Sequence, residues 1–143
     1  MRELYRSAHF LVDLDDIHKV VCRRRTAVGY GSTAELEAAY EALFAAVESY
    51  HRPEYALLSD LRLAPPRNDP AFEQTIGRYH ARFYAGFRRI AHVVLSEAGR
   101  LQIARLAQPD TARRMRVFTS EAAAFEFLTT PSGGGLPAAR RAR

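Results

Sequence analysis

The segment of residues 55–73, YALLSDLRLAPPRNDPAFE, constrains the fold more than any other part of the chain. Residues 55–58 are apolar without alternation, which is typical of a strand covered on both faces near the centre of a mostly parallel sheet. A proline-rich loop follows. Asp69 and Pro70 then have the residue types favoured at the N-cap and first position of a helix. The segment therefore predicts the strand–loop–helix half of an α/β unit.

Composition favours one domain over residues 1–130. The chain has 143 residues, of which 48% are hydrophobic and 26% charged, enough for one core without disulfides. Cys22 is the only cysteine, so we expect a buried strand residue and no disulfide or thiolate metal site. No apolar run approaches the roughly 20 residues that cross a bilayer, and residues 1–5 do not resemble the start of a signal peptide. We therefore expect a cytoplasmic protein without a membrane partner.

The positive charge is concentrated at the end of the chain. Of the net charge of +5, three units come from Arg140, Arg141 and Arg143, and the rest of the chain is nearly balanced. These arginines belong to residues 131–143, PSGGGLPAARRAR, which cannot bury enough apolar surface to fold. The sequence predicts a disordered basic tail, and composition alone does not favour nucleic-acid binding.

The first element is predicted to be an antiparallel hairpin. Apolar residues alternate over residues 10–14, Asp15 and Asp16 supply turn chemistry, and a return strand begins at residue 17. Arg23–Arg25 continue that strand with charge on both faces. This pattern favours an exposed or edge portion over a buried centre.

Helices and strands then alternate along the chain. Helical spacing of apolar residues follows two caps, at Ser32 or Thr33 and at Asp69, and an apolar strand follows at residues 90–95. Shorter patterns predict a third helix, a last strand at residues 115–118 and a fourth helix capped by Ser120. The predicted fold is α/β, a single-domain mixed sheet of about five strands with an N-terminal antiparallel hairpin and about four packed helices.

This order of elements, together with three short motifs, resembles the STAS superfamily. The motifs are LLSDLR at residues 57–62, the strand at 90–95, and VFTSEA at 117–122. The superfamily contains anti-sigma-factor antagonists and SpoIIAA-like relatives, and the likeness spans roughly residues 8–129. It implies a non-enzymatic regulatory module that docks on a protein partner through the loop after the central strand and the following helix. The partner's identity is not implied, and a homodimer is left open.

The chain departs from that family at its regulatory residue. Antagonists of this type carry an Asp-Ser pair at the start of the second helix, where a partner kinase phosphorylates the serine. The matching positions here are Asn68 and Asp69, and residues 61–74 contain no serine or threonine. Asp69 either imitates the phosphorylated state or, as we favour, is a simple N-cap.

An enzymatic site is not favoured by the residues present. Ser59 and Asp60 could combine with His18, His80 or His92 as a hydrolytic triad, but no Gly-x-Ser-x-Gly turn accompanies them. No metal-ligand spacing or phosphate-binding loop occurs either. We therefore predict no catalysis and no cofactor.

Two binding hypotheses remain. Loops after consecutive parallel strands meet at one sheet edge, where arginines could grip a carboxylate or phosphate. The predicted partner-docking or anion-binding residues are Asp60, Arg62, Arg67, Asn68, Asp69 and Arg100. The alternative function is a weak anion or nucleic-acid binder that uses these loops, Arg23–Arg25 and the tail. Nucleic acid is the less favoured partner, because no recognition helix or stacking platform is present.

Overall fold

The structure, a computed structural model, describes residues 1–67, 69–106 and 113–131. Six strands and four helices make up this part of the chain. The strands are β1 (Arg2–Arg6), β2 (Phe10–Asp15), β3 (Val20–Arg25), β4 (Ala56–Asp60), β5 (Ile90–Val93) and β6 (Met115–Phe118). The helices are α1 (Thr33–Val47), α2 (Pro70–Tyr84), α3 (Glu97–Leu106) and α4 (Glu121–Thr129), and a 3-10 turn follows α1 at Glu48–Tyr50.

The strands form one mixed sheet in chain order, which confirms the predicted fold class. β1, β2 and β3 pair antiparallel, and β3, β4, β5 and β6 pair parallel. The hairpin of β2 and β3 is the predicted one, and β1 adds a further edge strand. The parallel order places the carboxyl ends of β3 to β6 at one edge of the sheet, which we call the carboxyl edge.

Side-chain caps fix where three helices begin. The Ser32 hydroxyl accepts a hydrogen bond from the Glu35 amide at 3.1 Å, and Ser120 caps α4 in the same way. Asp69 accepts from the Phe72 amide at 3.3 Å, and Pro70 occupies the first helical position. These oxygens satisfy amides that have no partner within the helix, and the predicted caps are confirmed.

Apolar side chains cover both faces of the sheet. On one face, α1 and α2 bury Leu36, Leu43 and Phe83 against strand residues such as Leu57. On the other face, α4 packs on a smaller cluster that contains Cys22. Cys22 is fully buried in β3, which confirms the predicted buried strand cysteine. Desolvation raises the pKa of this thiol to about 12 and makes it a poor nucleophile.

The prediction of an exposed or edge position for Arg23–Arg25 is wrong. β3 lies between β2 and β4, and the residue exposures of Arg23 and Arg25 are 0% and 7%. The side chain of Arg24 is 26% exposed. Charged residues are rarely buried, so charge on both faces was a reasonable sign of an edge strand. Here the three arginines lie in the interior of the sheet instead.

Two predictions fall outside the described part of the chain. Asn68 and residues 132–143 are not described, so the predicted role of Asn68 and the predicted disordered basic tail stay predictions. Within the described residues, none of the helices has the length and apolar character needed to cross a bilayer.

Candidate functional site

A cavity of about 510 Å³ opens at the carboxyl edge, on the face that α1 and α2 cover. Its floor includes Arg25 at the end of β3, with Leu61 and Val94, which directly follow β4 and β5. Its walls come from α1, α2 and α3 and from the loop before α2. Ligand sites of open α/β sheets form at this edge, because the loops after parallel strands converge there.

A row of polar residues crosses the sheet directly beneath the cavity. Arg23, Ser59 and His92 are register partners on β3, β4 and β5, and all three are 0% exposed. Because side chains alternate along a strand, this row shares its face with Arg25, two residues further along β3. The centre of an otherwise apolar core therefore holds a polar ladder.

Arg23 is buried with hydroxyl and aromatic partners. Its guanidinium donates to the Ser59 hydroxyl at 2.5 Å, the Tyr84 hydroxyl at 3.2 Å and the Tyr40 hydroxyl at 3.3 Å. The ring centroids of Phe10, Phe83 and Tyr84 lie 5.4–5.9 Å from its Cζ. Among the residues that the structure describes, no carboxylate forms an ion pair with Arg23, and its Nε has no hydrogen-bond partner. The positive charge is thus hydrogen-bonded but not neutralised.

Arg25 brings a second such charge to the cavity surface. It donates to the carbonyl oxygens of His9 at 2.9 Å, Thr26 at 3.2 Å and Val28 at 3.1 Å, and it lies over the Tyr30 ring. No aspartate or glutamate of the described residues pairs with it. Burial lowers the pKa of Arg25, but a guanidinium remains charged at neutral pH.

His80 and His92, which lie near these arginines, are neutral at neutral pH. His80 lies in the cavity wall, with its Nε2 3.1 Å from the Tyr40 hydroxyl. Burial, and next the charge of Arg23, lower the pKa of His80 well below 6.5 and that of His92 to about 3. Neither ring nitrogen of His92 has a hydrogen-bond partner among the described residues. The charge beneath the cavity therefore comes from the arginines.

The opposite face of the same strands carries a neutralised network, which we call the Arg24 cluster: Arg24, Asp60, Arg62 and Glu121. Arg24 contacts Asp60 at 2.7 Å and Glu121 at 3.0 Å, and Arg62 contacts the same two carboxylates at 2.9 and 2.7 Å. Although burial opposes ionisation of Asp60, hydrogen bonds from Arg62 and Arg24 hold its pKa below the usual value. Hydrogen bonding to Arg24 lowers the pKa of Glu121. The cluster ties the end of β4 to the first turn of α4.

The predicted site residues in the described part of the chain are paired with one another or with neighbours. Arg62 and Arg67 line the cavity, and Arg67 binds Asp69 at 2.8 Å. Arg100 pairs with Glu97 of its own helix. The hydrogen bond from Arg67 lowers the pKa of Asp69, which is the N-cap of α2.

Sequence reasoning missed the two cations beneath the cavity. Arg23 and Arg25 were considered only as part of an exposed arginine run. A signal was present, because strand alternation places both on the face of Val21, a core residue. Extending that alternation by four residues would have placed both arginines inside the fold.

Three exposed leucines lie in the segments that follow β4 and β5 at the carboxyl edge. Leu63 follows β4, Leu95 follows β5 and Leu101 lies in α3, with exposures of 64%, 74% and 60%. Leu95 itself lines the cavity. We call these three residues the leucine rim. They give the carboxyl edge an apolar border beside paired charges.

The residues considered for catalysis or metal binding do not assemble in the described residues. The Ser59 hydroxyl is buried and accepts from Arg23, and no histidine of the described residues forms a hydrogen bond with it. Over residues 1–67, 69–106 and 113–131, no cluster of three or more histidine, cysteine or acidic side chains could hold a metal ion.

Comparisons of the chain with protein-family models, with curated proteins and with solved structures found no match. The resemblance to the STAS superfamily therefore stays a prediction.

Proposed function

We propose that this protein is a non-catalytic regulatory module of STAS-like type, which docks on a protein partner through the carboxyl edge of its sheet. The observation that carries the proposal is the leucine rim. Large apolar side chains that are exposed together mark protein interaction sites more often than isolated ones do. The rim also lies where the STAS resemblance expects docking, beside the loop after the central strand.

The pairing of the loop arginines supports a protein partner over a polyanion. Arg62, Arg67 and Arg100 each bind a carboxylate of this chain. Phosphate backbones attract proteins by the release of counterions, which needs basic groups free to replace them. A rim of leucines beside internally neutralised charges suits an apolar protein surface better.

The test uses substitutions of equal chemistry at opposite edges. Leu95→Asp and Leu101→Asp place a charge on the leucine rim, whereas Ile17→Asp alters an 87% exposed residue in the turn between β2 and β3, at the other edge. Wild-type and variant proteins are used as bait, and each captured protein is purified and titrated. We expect Ile17→Asp to retain a partner that both rim variants lose. Equal affinity of that partner for all baits would contradict docking at the rim.

A titration of fluorescent DNA and RNA distinguishes the proposed docking function from the alternative function, nucleic-acid binding. Full-length protein and a variant without residues 132–143 are compared at low and near-physiological salt. We expect the truncated protein to show no salt-resistant binding, since the remaining charge is nearly balanced. Tight binding by the truncated protein at physiological salt would favour the nucleic-acid alternative.

A further inference from the structure

The cavity at the carboxyl edge has positive charge at its base that no carboxylate of the described residues neutralises. Arg25 lines the cavity, and Arg23 donates to the hydroxyl of Tyr40, a residue that also lines it. Taking a charge out of water is costly unless a partner of opposite charge compensates. An anion in the cavity would supply that compensation.

The walls of the cavity are largely apolar. Leu61, Pro65, Ile76 and Val94 line it, together with the ring of Phe72. Its volume of about 510 Å³ lies within the range of pockets that hold small organic molecules. The walls therefore suit a ligand with a hydrocarbon body in addition to an anionic group.

The donors present match a carboxylate better than a phosphate. Three of the five guanidinium N–H groups of Arg25 are used by backbone carbonyl oxygens. The Tyr40 hydroxyl accepts from Arg23, and its one proton is available to a ligand in the tautomer in which His80 Nε2 donates to this hydroxyl. Arg25 and Tyr40, the donors at the base of the cavity, can satisfy the two oxygens of a carboxylate, but they leave a phosphate dianion poorly hydrated and poorly bonded.

We propose that this cavity binds a small organic carboxylate. Its carboxylate lies toward Arg25 and the Tyr40 hydroxyl, and its aliphatic or aromatic body lies against Ile76 and Val94. Leu95 belongs to both the cavity lining and the leucine rim, but the inference does not depend on the docking function, because it is argued from the buried arginines and the apolar walls of the cavity.

The first experiment compares charged ligands with neutral ones of the same shape. Benzoate, phenylacetate and octanoate are each titrated against the full chain beside the corresponding primary amide, with inorganic phosphate as a further probe. Ligand-observed NMR and thermal unfolding report binding. We expect at least one carboxylate to bind about tenfold more tightly than its amide, equivalent to about 1.4 kcal/mol. Equal affinities, tighter binding of phosphate, or no saturable binding of any carboxylate up to millimolar concentration would overturn the proposal.

The second experiment locates the site with matched variants. Ala98 and Ala104 are both exposed on α3, and only Ala98 lines the cavity in the described residues. We expect Ala98→Trp to obstruct the mouth and abolish binding, and Ala104→Trp to retain it. Retention of binding by Ala98→Trp would place the ligand elsewhere and overturn the proposal.

The third experiment removes the donors. Arg25→Met should weaken carboxylate binding about tenfold or more without changing the affinity for the amide. Arg52→Met removes the same charge from an exposed side chain in another loop and should change neither. Tyr40→Phe preserves the ring and tests the second donor if Arg25→Met fails to fold. Undiminished carboxylate selectivity in Tyr40→Phe and in any folded Arg25→Met protein would contradict the assigned donors.

Discussion

The arginines on the two faces of β3 have opposite kinds of partner. On the α4 face, Arg24 is matched by the carboxylates of Asp60 and Glu121. On the face that α1 and α2 cover, Arg23 and Arg25 have hydroxyl, carbonyl and aromatic partners and, among the described residues, no carboxylate. Neighbouring residues of one strand thus carry either a neutralised or an unneutralised charge.

This difference separates a structural role from a binding role. Matched charges that bridge two elements fix the position of one against the other, as the Arg24 cluster does for β4 and α4. Unmatched buried charges oppose folding, and an apolar residue of similar volume often stabilises a core as well or better. The presence of Arg23 and Arg25 in the core is therefore better explained by the ligand proposed for the adjacent cavity than by a contribution to stability.

The largest expected effect tests whether both faces are packed cores. Leu57 faces α1 and α2, and Leu58 belongs to the cluster under α4; they are 0% and 1% exposed. We expect Leu57→Ala and Leu58→Ala each to lower the free energy of unfolding by about 2–5 kcal/mol, because each leaves a cavity. Chemical denaturation measures the loss. A loss below about 0.5 kcal/mol at both positions, typical of surface sites, would contradict a central position for β4.

The next effect tests the neutralised face. Asp60 accepts hydrogen bonds from Arg24 and from both the side chain and the amide of Arg62. We expect Asp60→Ala to lower the free energy of unfolding by about 1.5–3 kcal/mol, as for hydrogen bonds to charged groups. Asp16→Ala, which removes an exposed ion pair with Arg2, should cost clearly less. Equal losses would show that the Arg24 cluster does not act as a structural bridge.

The same carboxylate predicts an acid-dependent loss. Asp60 has a lower pKa in the folded protein than its usual value. Its contribution is therefore fully present above the unfolded pKa of about 4 and is lost as pH falls through the folded pKa. The difference in stability between wild type and Asp60→Ala should shrink below about pH 4. A difference that is constant across this range would contradict the proposed pairing.

A third effect, the dependence of stability on pH, tests the face that carries Arg23 and Arg25. The pKa of His92 is about 3 in the folded protein and about 6.5 when unfolded. Between these values the unfolded state binds a proton that the folded state excludes, so stability falls as pH falls from 6.5, by at most about 1.4 kcal/mol per pH unit. His92→Leu should remove the part of this slope that His92 contributes and leave the part from His80, whose pKa is also lowered. It should cost little at pH 7, since the ring nitrogens of His92 have no partners among the described residues. Denaturation at several pH values measures this. The same dependence of stability on pH in wild type and His92→Leu would contradict the prediction.

The smallest effect concerns the outer part of the Arg24 cluster. The side chain of Glu121 is 40% exposed, whereas that of Asp60 is 10% exposed. We expect Glu121→Gln to lower the free energy of unfolding by about 0–1 kcal/mol, with a difference that decreases as salt is added. Denaturation at low and high ionic strength checks this. A loss as large as that for Asp60→Ala would show that the contribution of each carboxylate to stability does not depend on its exposure.

The sequence was most informative where local chemistry decides structure. The apolar run before Ser59 and the caps at Ser32, Asp69 and Ser120 are set by nearest neighbours in the chain, and the structure has them as predicted. β1 was missed because its charged edge residues hide any alternation, and only pairing with β2 defines it.

The candidate site was only partly predictable. The position of the carboxyl edge followed from strand order, and Arg62 and Arg67 do line the cavity there. Their neutralisation could not be predicted, because Glu121 and Arg62 are far apart in sequence and meet only through the fold. Burial of Arg23 likewise depends on Tyr40 and Tyr84, which come from two different helices.

The central claim, that Arg23 carries an unneutralised charge beneath the cavity, is tested most directly by NMR titration of His80 and His92. Arg23→Met is compared with Arg24→Met, which removes the same charge from the neutralised face. We predict that the pKa of both histidines lies well below 6.5 in wild type, rises in Arg23→Met and stays unchanged in Arg24→Met. Histidine pKa values near 6.5 in wild type, or values that Arg23→Met leaves unchanged, would contradict the account.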